Sequence, residues 1–167
     1  QFEIGFNGKS DLDGFFNSVS ISSSFYYSFF ENYIVGIIEE SLNRKYMPML
    51  EPRHPKVFQN LDEAYKTGFE FGLNFDFLED FYLKSELAYV YTKNKDLNES
   101  LPLNPPFTTA LSVGLDKDKY WFNARYNIVS KQDHIAPSYG ETSTPSYETF
   151  DVRLGVKPIK NVTIGLA

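Results

Sequence analysis

The stretch YKTGFEFGLNFDF, residues 65–77, decides how this chain folds. Its odd positions are Tyr65, Thr67, Phe69, Phe71, Leu73, Phe75 and Phe77, and its even positions are Lys66, Gly68, Glu70, Gly72, Asn74 and Asp76. Side chains alternate across a strand with a period of two, so the stretch has one greasy face and one polar face. Helical spacing would mix the two, because residues three apart here have opposite character. Strands in soluble proteins run about five or six residues, whereas a tilted strand that crosses a bilayer needs about nine to eleven. Thirteen residues with four phenylalanines on one face suit lipid.

The same pattern recurs on both sides of this stretch. Residues 2–7 alternate Phe2, Ile4 and Phe6 against Glu3, Gly5 and Asn7. After a turn at 11–14 (DLDG), Val19, Ile21, Phe25, Tyr27 and Phe29 oppose Ser18, Ser20, Ser22 and Ser24, and the apolar character continues through Tyr33, Val35 and Ile37. Residues 39–62, mixed in charge and carrying three prolines, read as a long loop. Beyond residue 77, strands are expected at 81–92, 107–115, 120–128, 150–156 and from 162 onward. The turns between them are short at 78–80, 116–119 and 157–161 and longer at 93–106 and 130–146. Eight strands joined alternately by short and long connections are the bookkeeping of an antiparallel membrane barrel, which has tight turns at one end and long loops at the other. A soluble up-and-down barrel has no reason for it.

Composition agrees. The chain is rich in Phe (16) and Tyr (12), yet its mean hydropathy is negative, as alternating membrane strands require. No apolar run is long enough for a membrane-crossing helix. The net charge of −6 argues against a nucleic-acid partner, and the lack of cysteine excludes disulfides, thiolate nucleophiles and cysteine zinc sites. Lys84, Glu86, Arg125, Asp151 and Arg153 fall on the polar faces, where that many charges belong beside water or other polar groups. Tyr65, Phe77, Phe81, Tyr91 and Tyr120 lie near strand ends, where aromatic girdles form. The chain has no hydrolase elbow, phosphate loop or paired-histidine zinc motif, so an enzyme is not expected.

Three further pieces carry a resemblance. Asn60, Ala64, Gly68, Phe69 and Glu70 lie on one strand; Leu103, Pro105 and Pro106 stand just before the next strand of the same direction; and Tyr147, Phe150, Asp151 and Leu154 belong to the strand before the last hairpin. In that order and spacing, residues 60–167 resemble the C-terminal barrel segment of TonB-dependent outer-membrane receptors. The resemblance implies an all-β wall of about eight strands from a barrel of about 22, in a bacterial outer membrane. It further implies that the plug domain, the TonB box and the last strand lie outside these residues. The function it implies is uptake of a scarce nutrient, such as a ferric siderophore or other metal complex, driven through the TonB–ExbB–ExbD complex. A passive porin or small structural barrel is the alternative. No cofactor is implied.

Ligand-binding residues are expected in the long connections. Residues 46–54 read YMPMLEPRH, and Met47, Met49 and His54 offer thioether and imidazole donors that suit Cu(I). The MPM run resembles that of family members assigned to copper. The bland account is two methionines packing a loop as adaptable fillers. His134, in another long connection, is expected either to join such a site or to be an ordinary exposed histidine. For Lys84 with Glu86 and Asp151 with Arg153, lining of a substrate path competes with charge pairing between strands.

Overall fold

A computed structural model describes residues 1–41 and 55–167. Among them run eight strands: β1 (Phe2–Asp11), β2 (Phe16–Ile38), β3 (Lys56–Phe77), β4 (Phe81–Asn94), β5 (Thr108–Asp116), β6 (Tyr120–Val129), β7 (Tyr147–Ile159) and β8 (Val162–Leu166). They form one sheet in sequence order, each antiparallel to its neighbours, with β1 and β8 as its two edges. Every ladder joins consecutive strands, so the register is set locally by the turns and by the alternation itself.

The expected faces are formed. Phe25, Phe69 and Tyr89 lie side by side across β2, β3 and β4, and Leu83, Val113, Ala124 and Val152 do so across β4 to β7. The other face carries Ser20, Asn74, Lys84, Ser112, Arg125 and Asp151 in one continuous row. That polar face is concave, with one hollow lined from Glu3 on β1 to Thr149 on β7. The apolar face stays open to its surroundings, and Phe69, Leu111, Phe150 and Leu154 are all exposed. A water-soluble sheet would have to cover such a surface; a bilayer covers it without further protein. Residues 65–77 extend ~40 Å along the strand, or ~28 Å across a membrane at a tilt of about 45°, close to the apolar band of a barrel.

The tight turns are set by backbone conformation. Gly14 adopts a φ of 112°, open only to glycine at low cost. Leu78 and Glu79 take φ values of 47° and 66° in the three-residue turn between β3 and β4. The last turn is narrower than residues 157–161: β7 runs to Ile159, which pairs with Val162 past a local irregularity, and Asn161 takes the left-handed conformation. Asparagine tolerates that conformation better than most residues.

Two expectations are corrected at the other end. Residues 56–62, read as loop, are the first part of β3, and residues 56–61 pair with residues 33–38 of β2. KVFQNLD has no clean alternation, so no period-two signal marked it; the ladder to β2 holds it extended. The second correction concerns Tyr33, Val35 and Ile37, which do not continue the greasy face. Asn32 has a φ of 55°, and past it the facing reverses. Phe30, on the polar side, and Tyr33 therefore meet with ring centroids 5.5 Å apart. Val35 is 5% exposed while neighbouring Ile34 is 64% exposed. The β2–β3 ribbon rises past the sheet with its apolar side turned inward.

Candidate functional site

The inward side of that ribbon is the floor of a small core outside the membrane band. Val35, Leu61, Ala64 and Leu101 are buried together, with Phe30, Tyr33, Ile37 and Tyr139 packed around them. Leu101 comes from the β4–β5 connection and Tyr139 from the β6–β7 connection, so two loops fold over the ribbon. Tyr139 belongs to a single 3₁₀ turn, Pro137–Tyr139, and the Lys56 ammonium lies 3.1 Å from its ring centroid.

Carboxylates and backbone groups tie these loops together. Glu99 accepts the Ser138 backbone N–H at 3.2 Å and the Ser138 hydroxyl. Glu141 accepts the N–H of Leu103 at 2.6 Å and of Ala136 at 2.9 Å, which staples one loop to the other. The Ser100 N–H donates to the Ile135 carbonyl, and the Leu101 N–H to the Thr92 hydroxyl on β4. On β3, the Asp62 N–H donates to Asp96 at 2.6 Å, and Glu63 pairs with Lys95 at 2.6 Å. The hydrogen bond and charge of Glu63 raise the Lys95 pKa above the ordinary lysine value. The connections are thus a packed canopy at one end of the sheet.

On the concave face, Lys84, Glu86 and Arg125 come together. Glu86 contacts Lys84 at 2.6 Å and Arg125 at 2.7 Å, the latter reaching from β6 over β5 to β4. Arg125 also donates to Asn127 and Ser112, and Asn127 donates to Thr149 and Asp151. One polar chain therefore spans four strands. Asp151 enters it as an acceptor from Asn127, not as a partner of Arg153. Arg153 lies opposite Asn123 in the register and makes no ion pair among the described residues. Arg125 faces Asp151 across the ladder but turns its guanidinium to Glu86 instead.

Three aromatic residues also stand on this face. Tyr26, Tyr82 and Trp121 each stand directly opposite a glycine on the next strand: Gly68, Gly114 and Gly155. Each ring crowds its glycine. A Cβ on Gly68 would sit 2.6 Å from the Tyr26 ring, and one on Gly155 2.6 Å from the Trp121 ring. Trp121 extends over Gly165 on β8 as well. Residue order alone hides these pairs, because they appear only when the register is known.

Met47, Met49 and His54 lie outside the described residues. His134 is exposed and packs edge-on against Tyr91 at 5.4 Å. No cluster of three metal-ligating His, Cys, Asp or Glu side chains occurs among the described residues.

A meander with one greasy face, one concave charged face and packed loops at one end narrows the family, and comparison decides it. The family model "TonB dependent receptor-like, beta-barrel" matches residues 1–167. The chain belongs to that family. This is a family of receptors rather than enzymes, and the expected barrel-wall fold holds across all eight strands. Among solved structures, the TonB-family wall is similar to the "Copper transporter OprC", with a TM-score of 0.79, 16% identity, and 98% of this chain and 24% of that chain covered. It is also similar to the siderophore receptor PirA from Acinetobacter baumannii, with a TM-score of 0.65, 18% identity, and 98% and 26% covered. At these identities the likeness is one of fold. This TonB-family chain spans about a quarter of the length of those structures. No curated protein matches the sequence at a significant level.

Proposed function

We propose that these strands are part of the wall of an outer-membrane receptor that takes up a scarce nutrient, a ferric siderophore or other metal complex, by TonB-coupled transport. The observation that carries the reading is the two-faced sheet capped by loops: lipid seals one face, the polar concave face lines the interior, and the canopy stands at the outer mouth. A plug and the remaining strands close the barrel, and the TonB–ExbB–ExbD complex supplies the energy through the plug. Charges on the concave face support this over a packed soluble core, because buried unpaired charges are costly and these sit beside water or a polar partner. Within the metal class, Met47, Met49 and His54 are the donors that would admit Cu(I).

The test is uptake by source cells with and without the full-length gene, using radiolabelled iron chelate and radiolabelled copper in parallel. Loss of uptake on deletion of the gene, and the same loss in cells lacking TonB or treated with an uncoupler, is expected. Uptake that persists without TonB would instead identify a passive pore. Retention of copper uptake after Met47→Ala with Met49→Ala would remove the thioether reading while leaving the receptor intact.

A further inference from the structure

The turn at Pro102 and Leu103 breaks a local rule. Pro102 sits where proline favours a tight turn, and the residue after it takes a φ of 60°, a conformation that suits glycine or asparagine. Leucine stands there instead. Its side chain is strained in the left-handed region, and Leu103 gains no packing in return, because it is 79% exposed. The residues on either side are fixed. Leu101 is buried in the canopy core with its N–H on the Thr92 hydroxyl at 3.0 Å. Asn104 is also buried, and its Nδ2 reaches the Val90 carbonyl at 3.4 Å. Two buried anchors therefore hold the strained residue between them.

A carboxylate from the other loop holds this strain in place. Glu141 accepts the Leu103 N–H through one oxygen and the Ala136 N–H through the other. Ala136 is fully buried, so the carboxylate joins the strained turn of the β4–β5 connection to the packed part of the β6–β7 connection. Gln132 reaches the Asn104 carbonyl, and Glu99 holds Ser138, so the two connections share more than one bond. Among these links, only the Glu141 bond to Leu103 falls on backbone in the left-handed region. Bonds from a carboxylate to backbone N–H groups are strong, and strain of this kind persists only where the surroundings impose it. Beneath the connections lie Thr92 and Asn94, at the upper end of the concave face, both buried.

We propose that the β4–β5 and β6–β7 connections form one lid over the upper concave face, with the Glu141 carboxylate on Leu103 as its latch. While the carboxylate holds the Leu103 N–H, the turn stays strained and the lid stays closed. When it lets go, Leu103 relaxes to extended backbone, and both connections lift together because Ala136 loses the same partner. The strain sets the latch close to its point of release, which a glycine at this turn would not do. That the lid admits cargo rests on the uptake reading; the latch rests on the fold alone.

The experiment measures hydrogen exchange of residues 95–107 and 130–146 in the intact receptor, held in nanodiscs of phosphatidylcholine. Leu103→Asn, which suits the left-handed region, is expected to slow exchange in both connections by about fivefold, and Glu141→Ala to speed it in both by about tenfold. After Glu141→Ala the turn is already relaxed, so adding Leu103→Asn is expected to change exchange by less than about twofold. The same slowing in both backgrounds would mean that the carboxylate does not hold the strain, and would overturn the latch. A response confined to residues 95–107 would overturn the single lid. If Glu141→Ala yields no folded receptor, Glu141→Gln, which keeps one acceptor oxygen, is read in its place against the same outcomes. Uptake of radiolabelled iron chelate and copper is followed in the same proteins. Exchange that follows the expectation in a receptor that takes up neither sinks the transport reading alone, whereas intact uptake with exchange unmoved by either substitution sinks this inference alone.

Discussion

Truncating Leu61 to alanine separates the canopy from the barrel beneath it. Leu61 is 3% exposed and sits between Val35, Ala64 and Leu101, so its loss removes packing that joins the β2–β3 ribbon to the β4–β5 loop. A leucine truncated in a packed core costs about 2–5 kcal/mol. Among the described residues this core has four buried members, with partly exposed residues around them, and can relax more than a deep one. The expected cost is therefore at the low end, about 2–3 kcal/mol. If the loops open locally, that cost raises amide exchange in residues 95–107 and 130–146 by about 30- to 150-fold.

The assay is hydrogen exchange on the intact receptor in lipid, comparing native protein with Leu61→Ala and with Ile34→Ala. Ile34 lies on the same ribbon but on its exposed side, so its truncation is expected to change exchange by less than a factor of about 2–3. Exchange within the membrane-spanning parts of β4 to β7 is expected to stay the same in all three proteins. Unchanged loop exchange in Leu61→Ala would refute the canopy core. Equal acceleration throughout the sheet would refute the independence of canopy and wall.

The remaining predictions probe the faces, the glycine clefts and one ion pair. Phe71→Lys, at the middle of the outward face of β3, is expected to cost about 2–4 kcal/mol in urea unfolding from vesicles, and Ser24→Lys on the concave face less than about 1 kcal/mol; similar costs would mean the faces are misassigned. Gly114→Ala drives a Cβ into the Tyr82 ring and is expected to cost about 1–3 kcal/mol. The same change in a Tyr82→Ala background should cost markedly less, and strict additivity would show that the ring is not the obstacle. Lys95 has a folded-state pKa above its unfolded value because of Glu63, so its pairing contributes fully below about pH 10 and is lost as pH rises through the folded value. Nitrogen NMR of the labelled ammonium in Glu63→Gln is expected to show its titration moved to lower pH, and an unmoved titration would exclude the pair.

How much of this was legible in the sequence depends on what each feature needs. Strand faces need only period-two alternation, and residues 65–77 display it so fully that both the bilayer-crossing length and the sidedness could be read from them. The alternating short and long connections needed only turn chemistry at DLDG, LED and DKDK. Alternation fails as a guide where one residue reverses it. Asn32 follows Glu31 between two apolar stretches, and nothing local says that its φ will be positive; the reversal follows from the need of Tyr33, Val35 and Ile37 to bury against Leu61 and Leu101 once the ribbon leaves the bilayer. The lesson is physical: the same apolar side chains face outward where lipid is the solvent and inward where water is.

The charged residues of the concave face show a second limit. Sequence spacing put Lys84 with Glu86, and Asp151 with Arg153, on the inward face, where charge pairing between strands was one expectation. Glu86 meets Arg125 of another strand as well as Lys84 of its own. A guanidinium is long and forked, so Arg125 can pass over Ser112 and Ala110 to reach Glu86 two strands away, which no rule about adjacent strands anticipates. That choice leaves Asp151 to Asn127 and Arg153 without an ion-pair partner among the described residues. Arg153 is thus a concave-face charge with no carboxylate partner, as Glu70 on β3 is one with no cation partner, among the described residues. Arg153→Gln is accordingly expected to leave urea unfolding within about 0.5 kcal/mol of native, while Arg125→Gln costs more because it leaves Glu86 with Lys84 alone. The reverse order would mean that Arg153, and not Arg125, is the cation that holds the wall together.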